Sequence, residues 1–106
     1  MMNDSRLKLH TDLCEILGSN NVYFQPPESI KIQYPAIIYS RADIENRHAG
    51  NNIYNQNFKF KVIVVDHEPD SEIVEKMSKF KYASFDRHYV VNGLNHDMFM
   101  VNYTKK

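Results

Sequence analysis

Tryptophan is absent from this chain, cysteine occurs once, and glycine occurs only three times. A lone Cys14 cannot close an internal disulfide and has no C-x-x-C partner, which excludes a disulfide scaffold and fits folding in a reducing cytoplasm. With only Gly18, Gly50 and Gly93 available, neither a G-x-x-x-x-G-K-[ST] or G-x-G-x-x-G phosphate loop nor a G-x-S-x-G nucleophile elbow is present. Charge of one sign is also lacking. Thirteen Lys and Arg balance thirteen Asp and Glu, so no global field draws nucleic acid or anionic membrane to the chain. No apolar run approaches the roughly 20 residues of a membrane span, and the polar opening Met1-Met2-Asn3-Asp4-Ser5 lacks the pattern of a signal peptide. The expectation is a protein made and used inside a cell, or carried out of it in an assembly.

What is present is a balanced globular composition and much aromatic surface. The 42% hydrophobic and 25% charged shares are those of a soluble globular domain. A length of 106 residues predicts one domain, residues 1–106, with a single modest core. Seven tyrosines and six phenylalanines exceed what so small a core requires; aromatics favour interfaces too, which supports a binding or assembling role.

The strongest pattern is Asn57-Phe58-Lys59-Phe60-Lys61-Val62-Ile63-Val64-Val65-Asp66. Phe58, Phe60, Val62 and Val64 share one face and Lys59 and Lys61 the other, until Ile63, where both faces turn apolar. This predicts a central strand. Before it, Leu9, Leu13, Ile16 and Leu17 form a helical stripe that starts near Asp4 or Ser5 and ends at Gly18. Val22-Tyr23-Phe24 reads as a short strand ended by Gln25-Pro26-Pro27, and residues 36–41 as another. Residues 43–56, polar, asparagine-rich and containing Gly50, read as a long connection between antiparallel strands. Asp70 is the expected N-cap of a second helix carrying Ile73, Met77 and Phe80. Residues 85–91 and 97–104 are strands around an Asn92-Gly93 turn, which Leu94-Asn95-His96 could widen. The order is helix, three strands, helix, two strands.

Two clusters invite a chemical reading. Asp66, His67, Glu68, Asp70 and Glu72 lie at the corner after the central strand. Their alternation resembles a calcium loop, but Ser71 stands where that loop needs glycine and Val74 where it needs an oxygen ligand. Proline and Asp70 also have a sufficient task in starting the helix. Asp86, Arg87, His88, His96 and Asp97 gather near the last hairpin, where a tight turn would set His88 almost opposite His96. An acid/base pair or a metal site is conceivable at either place, yet H-E-x-x-H and C-x-x-C are absent. Cys14, with His10 four residues before it, is read as a small residue flanking the core. Enzymatic function is the minority reading, and no cofactor or metal is expected.

Several segments together resemble a family of tailed-phage proteins, the tail terminators or tail-completion proteins that join tail to head. They are Leu13-Cys14-Glu15-Ile16-Leu17-Gly18, Asn21-Val22-Tyr23-Phe24-Gln25-Pro26-Pro27-Glu28 and Tyr34-Pro35-Ala36-Ile37-Ile38-Tyr39. Val65-Asp66-His67-Glu68-Pro69-Asp70-Ser71-Glu72-Ile73, Phe85-Asp86-Arg87-His88-Tyr89 and Asn92-Gly93-Leu94-Asn95-His96-Asp97 continue the likeness, which runs from Leu7 to Tyr103. The resemblance implies an α+β fold with helices packed on one face of a mainly antiparallel sheet, and the order α-β-β-β-α-β-β read from the residues, with its two helices, agrees with it. It implies a structural virion protein, made in the host cytoplasm and placed in the tail at the head–tail junction. There a ring, usually of six copies, ends polymerisation of the tail tube protein and offers a surface to a head-completion or neck protein. DNA would pass through the lumen without specific binding, and no membrane is involved. The family offers no catalytic residues to carry over.

A closed ring requires two different patches per subunit. The candidates are an edge of the sheet and the polar stretch of residues 45–57, with Arg47, His48, Asn51, Asn52, Ile53 and Tyr54 making subunit or partner contacts. Asparagines suit that role, since each amide both donates and accepts. The alternatives are a head-completion protein on the other side of the joint and, in a different class, a small metal-dependent or acid/base enzyme.

Overall fold

The computed structural model describes the backbone of residues 4–50 and 52–105, and the side chains of residues 6–44, 50 and 57–103. The elements are α1 (Asp4–Leu17), β1 (Val22–Phe24), β2 (Ala36–Ala49), β3 (Asn52–Asp66), α2 (Glu72–Ser78), β4 (Ala83–Val91) and β5 (Leu94–Lys105). The chain has the expected α+β fold: two helices and a five-stranded, mostly antiparallel sheet of order β1-β2-β3-β5-β4. Among the described residues only the β1–β2 pair is parallel. The strand with the strongest alternation, β3, is the middle one.

The core lies between the sheet and the helices. Phe58, Phe60, Val62 and Val64 of β3 meet Ile37 and Tyr39 of β2 and Phe99, Val101 and Tyr103 of β5 on one face, beneath Leu9 and Leu13 of α1 and Met77 of α2. The helical stripe on α1 is therefore used as its spacing predicts. Gly18, at φ 81°, ends that helix with its amide on the Cys14 carbonyl at 2.8 Å, a left-handed cap that other residues adopt only at a cost. On α2 the cap is Ser71 instead of Asp70. The Ser71 hydroxyl accepts the Ile73 amide at 3.2 Å, and Phe80 falls beyond the last helical turn.

Two tyrosines carry hydroxyls into this core and find partners there. The Tyr103 hydroxyl donates to Asp12 at 2.7 Å, and the Tyr39 hydroxyl lies 2.7 Å from His10 Nδ1. Burial is the main cause that raises both phenols above their ordinary value, reinforced at Tyr103 by the bond to Asp12. The unfolded chain releases these protons near pH 10 while the folded chain holds them to higher pH, so above that point the unfolded state binds fewer protons. Stability is thus complete below about pH 10 and falls as pH rises beyond it, by about 1.4 kcal/mol per pH unit for each retained proton. Denaturant midpoints followed from about pH 8 to about pH 11 should show this fall, and Tyr103→Phe should reduce its steepness.

Candidate functional site

The stretch expected to be a long connection is instead a continuation of the sheet. β2 and β3 stay paired from Ala36–Val65 to Ala49–Asn52, with irregularities after Arg41 and Arg47, and Gly50 at φ 65° begins the reversal. β1 stops at the level of Tyr39 and β5 at the level of Gln56. The far part of the β2–β3 hairpin therefore extends past both neighbours as a two-stranded arm, and the molecule measures 51 × 28 × 22 Å. The physical reason for the mismatch is register. Pairing that begins in the strongly apolar 58–65 segment propagates outward through backbone hydrogen bonds, carrying asparagine-rich sequence of low strand propensity with it.

This arm holds the sequence-predicted contact residues. Arg47 and His48 belong to β2, opposite Asn55 and Ile53; Asn52, Ile53 and Tyr54 belong to β3. Asn51 lies outside the described residues, as do the side chains of the other five. Among the described residues no third strand pairs with the far part of this ribbon, and a two-stranded ribbon by itself is marginal in water.

Behind the arm, the sheet face away from the helices carries a row of apolar side chains. Tyr23, Ile38, Ile63 and Met98 are successive cross-strand neighbours, all half-buried. Lys61 and Met100 form the next row towards the arm. On the helix side, beyond the reach of the helices, Phe85, Val90 and Ile44 remain exposed at 57%, 58% and 40%. Phe85 meets the core at the Phe99 ring, edge to face with centroids 5.4 Å apart. Sequence reasoning placed Phe85 and Val90 on a strand but had no signal that the strand would be an outer one.

The first chemical cluster is occupied by structural tasks, and the second holds a His/Asp pair across two strands. At the corner after β3, Asp66 Oδ1 accepts the Glu68 amide at 3.1 Å, and the Asn95 side-chain amide donates to the His67 carbonyl at 3.2 Å. These bonds hold a turn that delivers the chain to the Ser71 cap. In the last hairpin the turn is tight, with Asn92 at φ 52° and Gly93 at φ 76°, the left-handed pair that a two-residue hairpin requires. Counting outward from Val91–Leu94 places His88 opposite Asp97, not His96. His88 Nδ1 lies 2.9 Å from Asp97 Oδ1, on the helix side of the sheet. His96 faces the other side, stacked on Tyr89 with ring centroids 4.8 Å apart, its Nδ1–H donating to the Leu94 carbonyl at 3.0 Å. The expected His88–His96 pair is therefore not formed, because neighbours of odd offset point to opposite faces.

Cys14 has no base beside it in the role of activator, since His10 is turned to Tyr39. Partial burial pushes the Cys14 thiol above its ordinary value, away from the thiolate that a nucleophile needs. Among the described residues no three His, Cys, Asp or Glu side chains are grouped as metal ligands, and no helix is long and apolar enough to cross a membrane. The chain matches no protein-family model, and comparison with curated protein sequences gives no match either.

Proposed function

We propose that the chain is a structural protein of a tailed-phage virion, forming a hexameric ring on the end of the tail tube. The ring ends polymerisation of the tube protein and joins the tail to the head through a head-completion or neck protein, while DNA passes through the lumen unbound. The observation that carries this reading is the β2–β3 arm, an extension of the sheet past β1 and β5 with no further strand beside it among the described residues. An arm on one side and open strand edges on the body give a subunit the two unlike patches that a closed ring uses. The resemblance to tail-terminator proteins supplies the kind of assembly, and the α-β-β-β-α-β-β order agrees with what it implies. At the corner after β3, Asp66 and the His67 backbone are engaged in holding the turn that leads to the Ser71 cap, which favours a structural role for that cluster.

The test is substitution of Asp66, His67, His88 and His96 by alanine, singly and together, with folding checked by circular dichroism. Variants that fold should still form rings and still complete tails. Well-folded, ring-forming variants that lose all function would overturn the reading in favour of chemistry at those residues.

A further inference from the structure

Besides its strand edges, the body offers the arm a groove between the two helices. The groove has a volume of about 370 Å³ and is lined by Asp12, Glu15 and Ile16 of α1, by Lys76 of α2 and by Phe80 just beyond it. Its floor is apolar, since Ile16 and Phe80 are half-buried there and pack against the core. Tyr103 fixes both walls from below. Its hydroxyl donates to Asp12 at 2.7 Å, and its ring meets Phe80 with centroids 6.4 Å apart. Tyr103 is cross-strand from Phe58, which is itself opposite Ile44 at the base of the arm. The groove therefore lies at the end of the body from which the arm departs.

The α1 wall is acidic. Asp12 accepts the Tyr103 hydroxyl through Oδ2, which leaves its other oxygen for a further donor. Glu15 is exposed and forms no ion pair among the described residues. The arm has the opposite character. Residues 46–56 contain one full cation, Arg47, no carboxylate, and two large apolar residues, Ile53 and Tyr54.

We infer that the occupant of this groove is the arm of a second copy of this chain, with Arg47 set against Asp12 and Glu15 and with Ile53 and Tyr54 over Ile16 and Phe80. This deepens the ring reading above and rests on it. A guanidinium suits the place because it can bond two carboxylate oxygens at once while its stem lies on an apolar floor. Lys76 on the other wall finds carbonyl acceptors in the asparagine amides of the arm. Length allows the contact as well. From the Glu45–Asn57 pair to the Ala49–Asn52 pair the arm spans about 17 Å. That exceeds the roughly 10 Å diameter of a helix, so an arm leaving one sheet can cross into the helix layer of a neighbour. Arm and groove are different patches of one chain. Each copy then gives an arm and receives one, the head-to-tail contact from which a closed ring is built.

Charge exchange tests the contact. In sedimentation velocity on the full chain, Arg47→Glu and Glu15→Arg should each lower the association constant by about tenfold or more, and the double variant should recover it. Glu15 is used in place of Asp12 because Asp12 also holds Tyr103. In a Cys14→Ala background, Arg47→Cys and Glu15→Cys chains should give disulfide-linked dimers when mixed and oxidised, and neither should do so alone. Rings that survive both single exchanges and do not cross-link would overturn the groove contact while leaving the ring reading intact. Single exchanges that weaken assembly without recovery in the double variant, and without cross-linking, would overturn it too. Cross-linked, exchange-sensitive oligomers that leave tube growth unchanged would uphold the contact and defeat the tail-end function.

Discussion

Cutting the arm back to its base should abolish ring formation and leave the body folded. Replacing residues 46–56 by a two-residue Asn-Gly turn closes the hairpin at the Glu45–Asn57 pair, just outside the Ile44–Phe58 pair that begins the core. The buried residues described on β3, Phe58, Phe60, Val62, Val64 and Val65, are retained. What is lost is ribbon with at most one covering strand, so a thermal midpoint within a few degrees of the intact chain is expected, since surface changes usually cost no more than about 0.5 kcal/mol. The stub of β2 left outside β1 is too short to hold a ladder against another subunit. Sedimentation of the shortened chain should show monomer at concentrations where the intact chain assembles. A shortened chain that still forms rings would remove the arm from the interface.

The second large effect concerns the body. Phe60→Ala should cost about 3–5 kcal/mol of stability, read from denaturant midpoints. Phe60 is fully buried at the middle of the central strand, its ring against the edge of Tyr39 at a centroid distance of 6.2 Å. The core cluster it belongs to draws residues from both helices and from the strands on either side, so the space does not collapse by moving one side chain. Against the 5–15 kcal/mol that holds a typical domain, that loss brings a chain of this size close to unfolding at body temperature. Lys61→Ala, the next residue on the opposite face, is expected to change stability by less than about 0.5 kcal/mol. Equal losses at the two positions would mean that the helices do not pack on the Phe60 side.

Legibility in the sequence followed the strength of local patterns. The α1 stripe, its glycine cap, the alternation of β3 and the Asn92-Gly93 turn each carry a signal within a few residues, and the order of elements follows from them. The arm carried none: five asparagines between Asn46 and Asn57 and a central glycine have the composition of a loop. Their pairing is imposed by the register of the apolar segment beside them, a tertiary effect. The cap moved by one residue because Asp70 and Ser71 both suit that position, and only the Ser71 hydroxyl reaches the Ile73 amide. The His88–His96 pairing failed on parity across a two-residue turn, which a strict count would have caught. Of the candidate site, the arm was picked out by composition and given the wrong backbone.

The central claim, that this chain ends tail tubes, is tested most directly by growing tubes from the phage's tail tube protein with the purified chain added. Electron microscopy should then show tubes shortened in proportion to the chain added, each bearing a ring at one end. Tubes of unchanged length with bare ends, at concentrations where the chain itself assembles, would contradict it.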